Sequence, residues 1–546
     1  MKRWSYLFMA IGIATAFSAC SDEVDLSTNN GGSTEESTSQ VFMQFNLELP
    51  AVSRSTTQIG GGSDAGVEIG KDYENQVSEV LVVITDATER STYDKFIAKS
   101  SVVTPSSANN TTYVVPFKTT ELTSSAGKSV NVYVYCNPTE ELTKATTFDV
   151  NKDYYTLTDA TNATIWTKNK FLMTNADNDY KRTLPANLDN YKVESNPFDL
   201  ETIKVERAAA RFDYKSSDDD ETYTLMEDEN GDPEVTITLT DMALVNLSKE
   251  FYYLRRVSDD GTSTNAAIGG TETKTNYVVD TDADWKSSYS SGSESDHFYY
   301  TYQPNDAGAS TYDWDKIADV TGASGTADTD NSWNADGTKG DYKIWRYATE
   351  NTIPKGTDDG LQKKGITTGV AFKGEIKGVS DRMRTLLNGT NTVYVFDNIL
   401  WGTWDNVKTA AEVKESGKTT LANPLLAAAY NEAMKGGYSD AKAVTAGFTI
   451  FRPNTTTKKY EVLYYYWNRH NDNNNNGSMG PMEFAVVRNN VYKLSVTGVN
   501  KFGHPTNPGD DPDPENPEDP DEEDDVYFKV AVEVLPWVVR INDIEF

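Results

Sequence analysis

VFMQFNLELPAVSRS, residues 41–55, is the stretch from which the fold can be read. Val41, Met43, Phe45, Leu47 and Leu49 alternate with Gln44, Asn46 and Glu48, the period-two signature of a strand with one face in a core. The alternation stops at Pro50. Four residues later Arg54 stands in a run of Ser, Thr and Gly, the kind of open polar segment that proteases cut. A good core strand is thus placed just ahead of a predicted cleavage between Arg54 and Ser55.

The same period recurs downstream. VSEVLVVITDA (77–87), TTYVVPF (111–117) and SVNVYVYCNP (129–138) alternate or run apolar, and each ends in a turn signal. A second strand-rich region opens at IKVERAAARF (203–212) and continues through VTITLTDMALVNL (235–247), NTVYVFDNI (391–399), FTIFRP (448–453), YEVLYYYW (460–467) and NNVYKLSVTGV (489–499). Long helical periodicities are scarce, so the fold class is predicted to be mostly β, in β-sandwiches. One helix interrupts the second region: Asn423 caps it, Pro424 takes its first position, Leu425 to Lys435 favour helix, and Gly436-Gly437 end it. Between 255 and 385 Asp, Gly, Ser, Thr and Asn dominate, which predicts decorated loops with a few strands.

With 546 residues the chain is long enough for two domains. Its 50 Lys and Arg against 83 Asp and Glu leave a net charge of −33, and the basic residues form no stripe that could track phosphates, which excludes nucleic acid as a partner. There is no P-loop, G-x-S-x-G or G-x-G-x-x-G. His297, His470 and His504 are too scattered for a metal cluster or for a base beside a nucleophile. No catalytic residue, metal or cofactor is expected. Asp280, Asp282 and Asp284, and again Asp328 and Asp330, lack the Gly and distal Glu of a calcium loop and read as solvated acidic loops. Cys136, closing a predicted strand, reads as a small buried thiol.

The first twenty residues, MKRWSYLFMAIGIATAFSAC, carry a basic start at Lys2 and Arg3, a short apolar run, and Phe17-Ser18-Ala19-Cys20 as a small-residue processing site that ends in cysteine. This resembles a bacterial lipobox, with Phe17 in place of the usual Leu, and it predicts a signal peptide over 1–20 with lipid on Cys20. The acidic residues Asp22, Glu23 and Asp25 that follow are similar to the surface-export signal of Bacteroidota lipoproteins; an ordinary acidic tether is the plainer reading. With Cys20 lipidated, no disulfide framework remains and folding must rest on the core.

Near the other end, residues 507–525 hold eleven acids and five prolines in nineteen positions. Such a run is predicted to stay out of any core and to extend, reaching on the order of 60 Å at ~3.1 Å per residue. Beyond it, VYFKVAVEVLPWVVRINDIEF (526–546) presents Val526, Phe528, Val530, Val532 and Val534 on one face, with Pro536 predicted to interrupt the ladder ahead of a second short strand that begins at Trp537. Set in the same direction, 526–535 matches 41–50: Val526 falls on Val41, Phe528 on Met43, Val530 on Phe45, Val532 on Leu47, Glu533 on Glu48 and Val534 on Leu49. Any two half-buried strands share some alternation. The sharper expectation is that both ribbons fit one groove, the first as a placeholder in the precursor and the second as a donor from a neighbouring molecule. Five apolar side chains at ~1.5–3 kcal/mol each make such an insertion worth on the order of 7–15 kcal/mol before ordering costs.

In this order of parts the chain resembles the fimbrial shaft subunits of Bacteroidales, the FimA/Mfa superfamily or type V pilins, and most closely the Mfa-type subunit. The residues that carry the resemblance are the lipobox at Cys20, Arg54 after the first strand, Phe171-Leu172-Met173-Thr174-Asn175-Ala176, Val205-Glu206-Arg207-Ala208-Ala209-Ala210-Arg211, Met479-Gly480-Pro481 leading into Val491-Tyr492-Lys493-Leu494, and the last strand with Trp537. The resemblance implies two transthyretin-like β-sandwich domains, 55–200 and 201–506, the second with loop and short helical insertions. They would lie between a propeptide, 21–54, and an acidic linker with donor strands. It implies a precursor held to the outer membrane by its N-terminal lipid, trimmed by an arginine-specific protease, and polymerised with neighbouring fimbrial subunits by donor-strand exchange. The product would be a fimbrium that meets host or bacterial surface ligands in adhesion and biofilm formation. The long insertion leaves a tip or accessory adhesin as an alternative.

A second alternative is a monomeric outer-surface glycan-binding lipoprotein, since Trp285, Trp314, Trp333, Trp345, Trp401 and Trp404 fall in or near predicted loops and indoles stack on sugars. Anchoring a loop or filling a core is the commoner use of tryptophan.

Overall fold

A computed structural model of the chain describes residues 40–49, 68–86, 92–97, 99–101, 110–118, 126–145, 154–157, 165–176, 180–217, 220–264, 266–269, 277–302, 309–322, 342–355, 365–471, 482–507, 509–512 and 527–538. Cys20, Arg54, Ser55 and Val526 lie outside the described residues, as do Asp328, Asp330, Trp333, Met479-Gly480-Pro481 and residues 539–546. The described chain is mostly β.

The first eight strands to note are β1 (Gln40–Glu48), β2 (Val80–Asp86), β3 (Thr92–Ile97), β4 (Lys99–Ser101), β5 (Asn110–Lys118), β6 (Ser129–Cys136), β7 (Met173–Asn175) and β8 (Phe198–Arg207). They form one nine-stranded sheet in the order β3-β2-β6-β7-β8-β1-β5-β4, with Lys181–Thr183 added against β6. β8 is shared along its length: its first part pairs with β1 and its last three residues pair with β7. One core serves both halves, with Val41, Met43 and Phe45 from β1 meeting Val80 to Ile84 of β2 and Val132 and Val134 of β6. Cys136 is fully buried here, and burial pushes its thiol far above the ordinary range, as expected of an inert core sulfur.

A second body is a β-sandwich. One layer contains β9 (Ala210–Tyr214), β12 (Lys343–Ala348), β15 (Asn490–Val499) and β16 (Phe528–Val538); the facing layer contains β10 (Thr222–Glu227), β11 (Pro233–Val245), β13 (Gly369–Gly378) and β14 (Tyr460–Trp467). Alternate residues meet between the layers: Ala210, Phe212, Tyr214, Tyr492 and Leu494 from the first, Val235, Ile237, Phe372, Val462 and Tyr464 from the second. Space there is tight at Gly374, where any side chain would force Ile237 to shift. A β-carbon at that position would stand 2.6 Å from Cδ1 of Ile237.

The outer face of the second layer is covered as well. Ala243, Val245, Ala371, Leu463 and Trp467 pack against Phe298, Tyr302, Tyr312, Ile353 and Ile366 of the 255–385 region. The expectation of decorated loops is corrected on this point: the described parts of that region form a covering layer with its own core.

The predicted helix is found as α2 (Pro424–Met434), with the Asn423 side chain accepting the Leu426 N–H at 2.9 Å and Gly436 and Gly437 at positive φ. It belongs to a small helical unit that composition did not announce, with α1 (Trp404–Glu412) and α3 (Asp440–Thr445) beside it. The three pack on the short strands Val393–Phe396, Ile399–Gly402 and Thr449–Phe451 around Val407, Leu426, Tyr430, Phe448 and Ile450. None of the helices among the described residues is long and apolar enough to cross a membrane.

Candidate assembly site: a filled slot and a stowed strand

β1 sits inside its sheet, not at the edge. It runs antiparallel to β5, from Gln40 opposite Lys118 to Glu48 opposite Asn110, and parallel to β8, from Met43 opposite Phe198 to Glu48 opposite Lys204. The parallel register shifts between Gln44 and Asn46, because β8 carries an extra residue there. Glu201, at φ 66°, takes up the bulge while its N–H donates to Asp199. The predicted placeholder residues Val41, Met43 and Phe45 are 0% exposed, Leu47 is 1% and Leu49 8%, while the residues between them are half-buried. Removing this ribbon would strip β5 and β8 of a partner and open a slot lined by core residues.

The predicted donor ribbon lies elsewhere, so the structure seats both ribbons at once in separate sheets. β16 runs antiparallel to β15, with Val534 opposite Tyr492, Val532 opposite Leu494 and Val530 opposite Val496. Among the described residues its other flank carries only the two-residue strand Glu68–Ile69, parallel and opposite Trp537–Val538. Val530 and Val532 are half-buried. The ladder to β15 ends at Pro536 as expected, but the strand itself does not break there: β16 runs on to Val538. Pro536 faces Asn490, the first residue of β15, where β16 passes from one neighbour to the other, so a missing N–H is tolerated.

Between the two bodies lies a buried charge network that sequence reading missed. Glu74, in the short helix Asp72–Asn75, is fully buried; it accepts from the Tyr347 hydroxyl at 2.6 Å and from Arg211 at 3.1 and 3.2 Å. Arg211 also holds Asp213 through two bonds of 2.8 Å. Burial alone would depress Arg211, but Asp213 and then Glu74 hold it well above its ordinary value. Arg207, from the same VERAAAR run, donates to the Glu74 carbonyl at 3.3 Å, to Asn489 at 3.3 Å and to Asn75; burial brings it down to about 10. That run was legible as a motif. Glu74 was not, because Arg207, Arg211 and Tyr347, which bind it in the network, stand more than 130 positions away in sequence, while the Lys71 N–H at 2.6 Å is a local partner.

The root of the acidic arm also departs from expectation. Asp510 is buried, paired with Arg452, and its carbonyl accepts the Ile450 N–H at 2.8 Å. Asp511 meets His504 at 2.6 Å, and His504 lies 4.6 Å from the Tyr527 ring. Two acids of the run are therefore seated, because Arg452 beside the helical unit and His504 beside β14 receive them; residues 513–525 lie outside the described residues.

In the predicted solvated loop at 280–284, Asp284 is exposed as expected, but Asp280 and Asp282 are buried. Asp280 pairs with Lys286, whose ammonium also donates to Asn351 at 2.6 Å and to the Thr352 carbonyl at 3.0 Å; its three protons have three acceptors. Asp282 meets His297 at 2.6 Å, and burial raises its carboxyl. The tryptophans do not share one face. Trp345 is in the sandwich core, Trp285 and Trp314 pack under the covering layer, and Trp401 and Trp404 pack in the helical unit. Among the described residues no group of three or more His, Cys, Asp or Glu is placed to hold a metal ion.

Two family models match the chain. Residues 47–248 match the major fimbrial subunit protein (FimA), and residues 458–543 match the C-terminal part of the major fimbrial subunit protein type IV, fimbrillin; together they span more than half of the chain. The chain belongs to the FimA-type (fimbrillin) major fimbrial subunits. The first match starts at residue 47, so only the end of β1 falls within it, whereas the second contains all of β16 of this fimbrial subunit. Among solved structures it is similar to a fimbrilin (FimA) from Porphyromonas gingivalis W83, at 12% identity over 91% of this chain and 98% of that one, with a TM-score of 0.36. It is also similar to the tip fimbrial protein Mfa3 from Porphyromonas gingivalis with C-terminal truncation, at 10% identity over 91% of this chain and 100% of that one, with a TM-score of 0.34. No curated protein matches the chain in sequence. The family is one of structural fimbrial subunits and not of enzymes; its members belong to the fimbrium at the cell surface and associate with other fimbrial subunits.

Proposed function

We propose that this fimbrial subunit is exported as a lipoprotein through Cys20, cut between Arg54 and Ser55 by an arginine-specific protease, and polymerised by strand exchange. Residues 526–546 of one subunit fill the slot that 41–49 leave in the next. The observation that carries this reading is an asymmetry of burial. Val530 and Val532 are half-buried where they lie, whereas Phe45 and Leu47, the positions they align with, are 0% and 1% exposed. Moving each valine into the slot is worth about 1 kcal/mol. β16 also exchanges one long neighbour for two, and each added ladder bond contributes about 1 kcal/mol net. Exchange is therefore downhill once β1 has gone, and a head-to-tail contact that does not close on itself builds a filament.

In this reading the mature subunit consists of two β-sandwich domains, 55–200 and 201–506, followed by the acidic linker 507–525. The filament serves adhesion and biofilm growth. Deleting residues 526–546 tests it: the expected result is a surface-located subunit without fibres in electron micrographs, and fibres at normal abundance overturn the proposal. N-terminal sequencing of the surface protein is the companion measurement, with Ser55 expected. A sole species starting at Cys20 that stays monomeric fits the glycan-binding lipoprotein instead.

A further inference from the structure

The carboxyl-terminal strand is flanked at its far end by the two-residue strand Glu68–Ile69. β9 and β15 run parallel, with Arg211 opposite Val491, and β16 runs antiparallel to β15, with Pro536 opposite Asn490. The end of β16 therefore lies at the same margin of the sheet as the start of β9, where Arg211 grips Glu74. From Glu74 the chain leads back over six residues to Glu68, whose strand lies along Trp537–Val538 on the outer flank of β16. The segment 68–74 thus crosses one end of the sheet, with its anchor over β9 and β12 and its tip over the end of β16.

This placement decides how β16 can leave. Its other end is fastened: the Asn500 and Lys501 N–H groups donate to the Tyr527 carbonyl at 2.8 and 3.1 Å, and Asp510 and Asp511 hold the root of the arm. A strand with one fastened end peels from the other, one rung at a time, and the rungs at that other end are those that Glu68–Ile69 covers.

We propose that Glu68–Ile69, anchored through Glu74, is a latch that sets how readily the carboxyl-terminal strand leaves its own subunit. The latch stands fourteen positions after Arg54, so it stays with the chain after cleavage. It deepens the strand-exchange reading and takes its purpose from it, but the two fail separately. Fibres that persist without 526–546 sink exchange, whereas the latch is read in the uncut monomer, where no exchange takes place.

The test is hydrogen–deuterium exchange with mass spectrometry on the uncut full-length chain, comparing the parent with Ile69→Pro and Glu74→Gln. In Ile69→Pro, amides in 533–538 are expected to exchange about tenfold faster, the effect of one or two lost ladder bonds, with β11 and β13 unchanged. Glu74→Gln is expected to reproduce the local effect through its anchor. Unchanged protection of 533–538 in Ile69→Pro overturns the latch. Acceleration spread evenly over β11, β13 and β16 in Glu74→Gln overturns the anchoring role.

Discussion

Arg211 Nη1 lies 3.1 Å from Glu74 Oε2 with both side chains withdrawn from water, so the segment that follows Arg54 is tied to the strand that opens the second body. Removing one member of a buried pair leaves the other charge without its full set of partners. Glu74→Ala is expected to cost about 3 kcal/mol in urea unfolding, the low end of the usual range, because Asp213 still holds Arg211. A loss below 1 kcal/mol means that Tyr347 and Asp213 satisfy the site unaided.

The slot makes a prediction that depends on processing. Phe45→Ala is expected to destabilise the precursor by about 3–5 kcal/mol, because Phe45 is fully buried at the centre of β1. Fibres made from the same variant after cleavage are expected to melt at the parental temperature. A fibre that melts earlier shows that β1 was never replaced.

Alkaline stability follows from the phenols. Burial first, and then Glu74, raises Tyr347 well above its ordinary value of 10; burial first, and then Glu221, does the same to Tyr214; burial raises Tyr464. From pH 10 upward the unfolded chain loses these protons while the folded chain keeps them, so the unfolded state binds fewer protons and stability falls with rising pH. Arg207, lowered to about 10, acts in the opposite sense, since above that pH the folded chain holds fewer protons at this group than the unfolded one. Three raised phenols outweigh one lowered guanidinium. The expected result is a midpoint that declines above pH 10, and a shallower decline in Tyr347→Phe; an identical slope in that variant removes Tyr347 from the account.

Asn423 closes the amino end of α2 through its bond to the Leu426 N–H, and Asn423→Ala is expected to cost about 1 kcal/mol. Because the helical unit has its own core, the loss should appear as faster amide exchange in 424–434 and leave β11 protected. Equal acceleration in both places would show that the unit does not open separately.

What was legible in the sequence is what a single segment encodes by itself. Val41 to Leu49 alternates because every second residue faces the core, and all five apolar positions are buried. Asn423-Pro424 and Gly436-Gly437 mark a helix through backbone chemistry that needs no distant partner. α1 and α3 were not visible, since nine and six residues that bury only Val407, Ala411 and Ala443 carry little periodicity. Asp280, Asp282 and Asp510 read as solvated acids because burial of a charge depends on Lys286, His297 and Arg452, whose approach in the fold is not announced by composition. Pro536 read as a break because nothing in the segment announces that β16 changes neighbours there.

The two ribbons also differ in how they meet force. Gln40–Glu48 is bonded along both sides, so tension along that ribbon loads its rungs together, in shear. β16 meets a long partner on one side only, and a pull on its tip opens rungs in sequence, like a zipper. Under the proposed exchange, a ribbon that peels readily from its one-sided berth would be far harder to drag out of a two-sided seat, the mechanical difference that a thread under tension needs between its loose and its joined parts.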